Sequence, residues 1–456
     1  MNGTLLFCFG EGTMFGYTLS VLRKPPVLKM AERGGFLSFA CQLLLSAALL
    51  LWASVSLADD TAEKIYAAYQ QDIHQVRIVD RGSGAKAGIG SGFSAGAGDL
   101  IVTNYHVVSE LVNRPGHYRA ELVGEDNDNE PLTLLAVDVV HDLAVLRLET
   151  ARPHFLALSP VRPAMGEELF SFGNPHDLGL TIVQGTYNGL LEKSLYEKIH
   201  FTASINPGMS GGPTLNRNGE VVGVNVSTAG NQISFLVPVS YVATLLAAVP
   251  EEPPAAEDLT ASVREQLLAN QRDYFSALLE QPFTAAEIGD YHLPGELAPY
   301  IRCWGDTSPA RELLFSRTYQ VCDSTDDIYL SRALQTGIIR FRHELYATEE
   351  LGPLRFYNFL ESGFNNPRLA LDGSEEDVTN YECQSDFVTH DGLDAKVVYC
   401  LRGYKKYTDL YDLFLTATTL VKDDEALRTT LILAGVDAEN ARRFAQNYLE
   451  ALQWNP

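Results

Sequence analysis

Between residues 59 and 250 the chain alternates short apolar runs with glycine-rich breaks. The segments IVTNYHVV, LTLLAVDVV, LAVLRL, ELFSFG, TIVQGTYNGLL, KIHFTA, EVVGVNV and ISFLVPV have the length and β-branched content of strands. Many short strands with little helix between them predict an all-β sandwich or barrel. From Val249 to Asp258 the chain is rich in proline and acid, the composition of a linker. Beyond it the texture changes. Leu259, Val263, Leu267, Tyr274 and Leu278 recur at helical spacing, and Ala441, Phe444, Ala445, Tyr448, Leu449 and Leu452 share one helical face. Strand-like pieces such as 337–345 lie between them, so the pattern predicts a separate α+β, helix-rich C-terminal domain. The boundaries read as a signal region over 1–58, a first domain over 59–248, a linker over 249–258 and a second domain over 259–456. Each domain is long enough for its own core.

The start of the chain is patterned differently. FLSFACQLLLSAALLL follows Arg33 and leads to Ser56 and Ala58, small residues spaced as a signal peptidase reads them. A charged lead, an apolar centre and a small-x-small exit predict a secretory signal cleaved after Ala58, with Met30 as its natural start. The run is short for a membrane span, so an uncleaved anchor is the weaker reading. A periplasmic or secreted protein, without a membrane partner once the signal is removed, is the expectation.

Composition narrows the classes. Of 456 residues, 34 are Lys or Arg and 58 Asp or Glu, a net charge of −24. That balance argues against nucleic acid, whose phosphates need clustered cations. Cys303, Cys322, Cys383 and Cys400 lie beyond the signal, and four cysteines in an oxidising compartment predict two disulfides. The segments flanking Asp391-Gly392 read as a hairpin whose register sets Cys383 opposite Cys400, which leaves Cys303 for Cys322.

The chemistry gathers on three residues. Asn206-Pro-Gly-Met-Ser210-Gly-Gly-Pro213 flanks a serine with glycines, which lets main-chain N–H groups approach a substrate carbonyl. A serine hydroxyl needs a base, and the base needs orienting. His106, at the end of an apolar strand, is the candidate base; Asp142, opening the buried strand LAVLRL, is the candidate carboxylate. His, Asp, Ser is one of the chain orders such a triad takes.

With Gly90-Ser-Gly-Phe93, Thr103-Asn-Tyr-His-Val107, Asp142-Leu-Ala-Val-Leu146, Phe172-Gly-Asn-Pro175 and Asn218-Gly-Glu-Val-Val-Gly223, the segment from about 65 to 240 resembles the HtrA (DegP-like) branch of trypsin-like serine endopeptidases. The resemblance implies two six-stranded antiparallel barrels, chymotrypsin-like, with the site between them. It implies Ser210 as nucleophile, His106 as general base and acid, Asp142 as the group that holds the imidazole, and Gly208 and Ser210 N–H as the oxyanion hole. Polypeptides are the implied substrates, protein quality control or processing the implied role, and neither a metal nor a cofactor is needed. Met209 stands where the family often has Asn or Asp, so activation by an amine pairing with an acid there is not expected; the loop around 174–180 is the expected control point.

Ser204, six positions before the nucleophile, resembles the base of the primary pocket in trypsin-like enzymes; with Ile205 and the stretch holding Val224, Asn225 and Val226 nearby, the resemblance implies a pocket for small or medium apolar side chains. Gly88-Ile-Gly-Ser-Gly-Phe resembles a dinucleotide fingerprint but precedes another strand, so a barrel turn is the better reading. Tyr66 and Tyr69 read as packing residues of an N-terminal helix, with self-association through them as the family-derived alternative. The PDZ domain usual in HtrA proteins is not recognisable after Pro250; the C-terminal domain is expected to dock a protein partner. The rival for the whole chain is a binding or chaperone-like protein that keeps a protease fold without turnover.

Overall fold

The computed structural model describes residues 60–456 except 125–127, 309–313, 366–370, 391, 423 and 455–456. The signal reading therefore lies outside the described residues. Residues from Asp60 onward form one compact unit.

Helix α1 (Thr61–Tyr69) leads into the first barrel. Its strands are β1 (Ile73–Asp80), β2 (Lys86–Ala95), β3 (Leu100–Thr103), β4 (Tyr118–Leu122), β5 (Glu130–Asp138) and β6 (Leu143–Leu148). They close in the order β1-β2-β3-β6-β5-β4. The second barrel holds β7 (Glu168–Gly173), β8 (Thr181–Leu190), β9 (Ile199–Thr202), β10 (Pro213–Leu215), β11 (Val221–Gly230) and β12 (Ile233–Pro238). It closes as β10-β11-β12-β9-β8-β7. Phe93, Val102 and Val145 of the first barrel meet Phe170, Phe172 and Val224 of the second in one apolar cluster, which fixes the cleft between them.

One predicted strand is half helix. The run 101–108 leaves β3 at Thr103 and turns at Asn104 into α2 (Tyr105–Asn113). Tyr105, Val108 and Val112 bury one face of α2, so the apolar stretch obeys a helical period from Tyr105 onward. His106 thus sits in the first turn of a helix rather than at a strand end. Tyr66 stacks on Phe172 and Tyr69 donates to Asn218 O, so both tyrosines pack α1 onto the second barrel.

Helix α3 (Val239–Ala247) ends the barrels, and α4 (Ala256–Leu279) follows within a few residues. The remaining strands are β13 (Ala285–Ile288), β14 (Tyr291–Pro294), β15 (Ile301–Ser308), β16 (Ser316–Ser324), β17 (Ile328–Ser331) and β18 (Leu334–Thr336). They continue with β19 (Ile339–Ala347), β20 (Glu382–His390), β21 (Leu393–Gly403), β22 (Tyr411–Thr419), β23 (Glu425–Val436) and β24 (Gln453–Trp454). Helices α5 (Pro353–Asn365) and α6 (Ala438–Glu450) complete the region.

The C-terminal region is accordingly mostly sheet, which corrects the helix-rich expectation. A seven-stranded antiparallel sheet, β15-β16-β19-β23-β22-β21-β20, is its centre. One face carries Phe341, Leu413, Leu415, Leu431 and Leu433 under α4 and α6; the other carries Cys400, Phe414 and Ile432. Strands buried on both faces show no alternation of apolar and polar residues, and such runs cannot be told from buried helix by period. Cys303 faces Cys322 across β15 and β16, and Cys383 faces Cys400 across β20 and β21, with sulfurs 1.93 and 2.04 Å apart.

The join between the two regions is a packed one. Leu259, Val263 and Leu267 of α4 share a cluster with Val108, Leu134 and Leu146 of the first barrel, while Tyr274, Phe275 and Leu278 face the seven-stranded sheet. Gln266 extends the seam: its Nε2 donates to Val137 O at 2.8 Å and its Oε1 accepts from Val139 N at 2.9 Å.

Candidate active site

His106 and Asp142 meet at the mouth of the first barrel. Asp142 Oδ2 lies 2.6 Å from His106 Nδ1, and Oδ1 accepts the His106 main-chain N–H at 2.8 Å. An ionised carboxylate only accepts, so Nδ1 carries the proton and Nε2 keeps its lone pair. Asp142 holds a left-handed backbone, φ 57°, which costs a non-glycine residue about 1–2 kcal/mol. Asn104 Nδ2, bonded to Asp142 O at 2.8 Å, helps maintain that turn. Burial pulls the His106 pKa down, but the charge and hydrogen bond of Asp142 outweigh it and hold the imidazole above its usual value.

Ser210 stands on the turn before β10. Among the described residues no hydrogen bond joins its hydroxyl to His106. The turn itself is held from both barrels. Ser91 N donates to Ser210 O at 2.8 Å, and Ser91 Oγ donates to Gly208 O at 2.7 Å while accepting Asn174 N at 2.9 Å. Asn225 Nδ2 donates to Met209 O at 3.2 Å and to Phe172 O at 2.8 Å. Gly208 has φ +99°, and a Cβ there would lie 2.4 Å from Asn174 O. Gly211 has φ +84°, and a Cβ there would lie 2.2 Å from Ser91 O. Only glycine serves at either position. With the turn fixed in this way, the main-chain N–H groups of Gly208 and Ser210 meet no acceptor among the described residues.

Met209 is fully buried among Leu169, Phe201, Ala203 and Ile205, so an apolar side chain anchors the Ser210 turn in the second barrel. The loop singled out at 174–180 abuts this turn: His176 N donates to Pro207 O at 2.9 Å, and Asp177 pairs with Lys86 at 2.6 Å.

The expected pocket residues are dispersed. Ser204 is exposed, whereas Ile205 is buried in the core of the second barrel and Val224 in the cluster between the barrels. Asn225 is fully buried, and its Oδ1 accepts from Ser171 and Thr214 hydroxyls at 2.7 and 2.9 Å. Val224 and Asn225 therefore build the barrel and brace the turn instead of lining an open pocket; a strand read for its apolar character gives no sign of which residues face inward. Val226 is half-buried and lines a cavity of about 260 Å³ beside His106 and Asp142. That cavity is also walled by Ile328, Tyr329 and Gln335 of the C-terminal region, residues that sequence reading did not connect with the site.

Two closed antiparallel barrels, with a His–Asp pair on one and a glycine-flanked serine on the other, make this part of the chain similar to trypsin-like serine proteases. Residues 90–224 match the family described as a trypsin-like peptidase domain. Over 161 residues the chain is 36% identical to the mitochondrial serine protease HTRA2 of Bos taurus, which covers 33% of this chain and 33% of that protein. It is 32% identical over 189 residues to the chloroplastic Protease Do-like 5 of Arabidopsis thaliana, covering 36% of this chain and 58% of that protein. Among solved structures it is similar to a serine endoprotease from Yersinia pestis, with TM-score 0.36, 24% identity, and coverage of 41% of this chain and 65% of that one. The chain thus spans between a third and three fifths of the length of these curated relatives.

Proposed function

We propose that this chain is an exported serine endopeptidase that hydrolyses peptide bonds in polypeptides through Ser210, His106 and Asp142. The observation that carries the reading is the doubly bonded His106–Asp142 pair across the cleft from a serine turn whose Gly208 and Ser210 N–H groups meet no acceptor among the described residues. Ser210 Oγ attacks the peptide carbonyl while His106 Nε2 takes its proton; the imidazolium then gives that proton to the leaving amine. Water repeats the sequence on the acyl-serine, releasing the acid and restoring the hydroxyl. Asp142 fixes the tautomer and stabilises the imidazolium, and Gly208 and Ser210 N–H receive the developing oxyanion. Export, to the periplasm or beyond the cell, is supported by the apolar run before Ala58 and by two cysteine pairs at bonding distance. Protein quality control or processing is the role in keeping with the HtrA resemblance.

Fluorophosphonate labelling of the mature chain tests the chemistry. The wild type labels, Ser210→Ala does not, and His106→Ala labels at a small fraction of the wild-type rate. A folded wild type that never labels would overturn the reading.

A further inference from the structure

The segment 325–336 of the C-terminal region reaches into the catalytic cleft and is fastened to both barrels. On the second barrel, Asp326 is buried and accepts Lys198 Nζ at 2.6 Å, Leu195 N at 2.6 Å and Ser194 Oγ at 2.8 Å. Thr325 Oγ1 donates to Lys193 O at 2.8 Å. On the first barrel, Leu330 O accepts Asn113 Nδ2 at 2.8 Å and Tyr105 Oη at 3.3 Å, both from the helix that carries His106. Arg332 donates to Ala87 O at 2.6 Å. Ile328, Leu330 and Leu334 are buried in one cluster with Tyr105, Val107 and Val108. A hairpin of two short strands is marginal alone, so these anchors are what hold it in place.

Between the anchors lies Tyr329. Its ring meets the His106 ring edge-on, centroids 6.0 Å apart, and lines the same cavity as His106, Asp142, Val226 and Ser227. Nδ1 of the imidazole belongs to Asp142, so a polypeptide engaged by Ser210 passes along the remaining edge and faces of that ring, beside Tyr329.

We propose that the β17–β18 hairpin is a wall of the substrate cleft and that Tyr329 determines specificity, limiting the size of the substrate side chain that enters the cavity next to His106. The proposal rests on the peptidase reading above. It gives the C-terminal region a defined part in substrate choice: a bulky side chain at the position flanking the cleaved bond is rejected by the tyrosine ring, and a small one is accepted.

The test uses full-length wild type, Tyr329→Ala and Tyr329→Phe, with two readouts. Fluorophosphonate labelling reports the assembled triad without a peptide in the cleft. Peptides varied between Ala and Trp, one position at a time around the cleaved bond, report selection as a ratio of kcat/KM values. Tyr329→Ala is expected to label within a few-fold of wild type and to shift the Trp/Ala ratio toward Trp by about ten-fold or more at one position. Tyr329→Phe, which keeps the ring, keeps the wild-type ratio. Ratios unchanged at every position in Tyr329→Ala would overturn the proposal. So would loss of labelling in Tyr329→Ala that is restored in Tyr329→Phe, since the ring would then position His106 rather than select substrate. A wild type that fails to label sinks the peptidase reading first and the specificity proposal with it.

Discussion

The barrels and the C-terminal sheet are both antiparallel β structures, yet they solve the problem of edges in opposite ways. Each barrel closes on itself, so its strands have no free edge, and the cleft between two closed bodies is where the reactive groups collect. The seven-stranded sheet is open, and both outermost pairs, β15 with β16 and β20 with β21, carry a cross-strand disulfide. Precision in the barrels comes from hydrogen bonds across a seam, as with Ser91 and Asn225 gripping one turn. In the sheet it comes from covalent links at the rim and a buried ion pair: Arg402 meets Asp412 at 2.8 Å, with Tyr404 donating to the same carboxylate at 2.7 Å. The difference teaches that geometry for chemistry and bulk stability are separately placed in this chain, and α4 and the hairpin at 325–336 are among the places where they meet.

Substitutions can break that division. The largest effect is expected from Asp142→Asn, which removes the charge that fixes the imidazole: kcat should fall about 10⁴-fold with little change in thermal stability. The sign of the pH effect follows from the same contact. Asp142 raises the His106 pKa, so wild-type kcat/KM should fall with acid through an apparent pKa above the usual histidine value of about 6.5. In Asp142→Asn that limb should move to lower pH, and a limb that stays in place would detach His106 from the profile. On the other side of the division, Asp412→Ala strands Arg402 in a buried site and should cost about 3–5 kcal/mol in urea unfolding. Its fluorophosphonate labelling rate at low temperature, where it remains folded, should stay near wild type.

A smaller effect lies in acid. His343 is fully buried, donates through Nε2 to Pro294 O at 2.8 Å, and is pushed down to about 4 by burial. A folded pKa below the unfolded one means that the unfolded chain binds the extra proton, so this group's contribution is intact above pH 6.5 and lost as pH falls toward 4. The loss is at most about 3 kcal/mol. His343→Gln should be less stable at neutral pH and show a flatter decline between those values, measured by chemical denaturation. An unchanged decline would place the acid sensitivity elsewhere.

What was legible in the chain followed from how locally it is encoded. His106, Asp142 and Ser210 stand in short motifs whose neighbours have their own steric reasons, such as Gly208 and Gly211 with left-handed backbones. The register of β20 on β21 was likewise readable, because a two-residue turn fixes it. The helix at Tyr105 was not, since strand and helix share the apolar run up to Val108. Strands β22 and β23 were hidden because both faces are covered. Val224 and Asn225 prove to be buried, which their strand's apolar pattern does not reveal, because one sequence cannot show which side of a barrel wall a residue faces. Tyr329 was beyond reach altogether: only the anchoring of Asp326 and Leu330 on two barrels brings its ring to His106, and no spacing in the chain records that meeting.

The anchoring of the hairpin also has a consequence in time. A chain made from its N-terminus presents His106, Asp142 and Ser210 well before residues 325–336 exist. On the proposed reading, a nascent chain that has emerged only through the barrels lacks the hairpin that would wall the cleft. The proposed selectivity then exists only once residues 325–336 have joined both barrels.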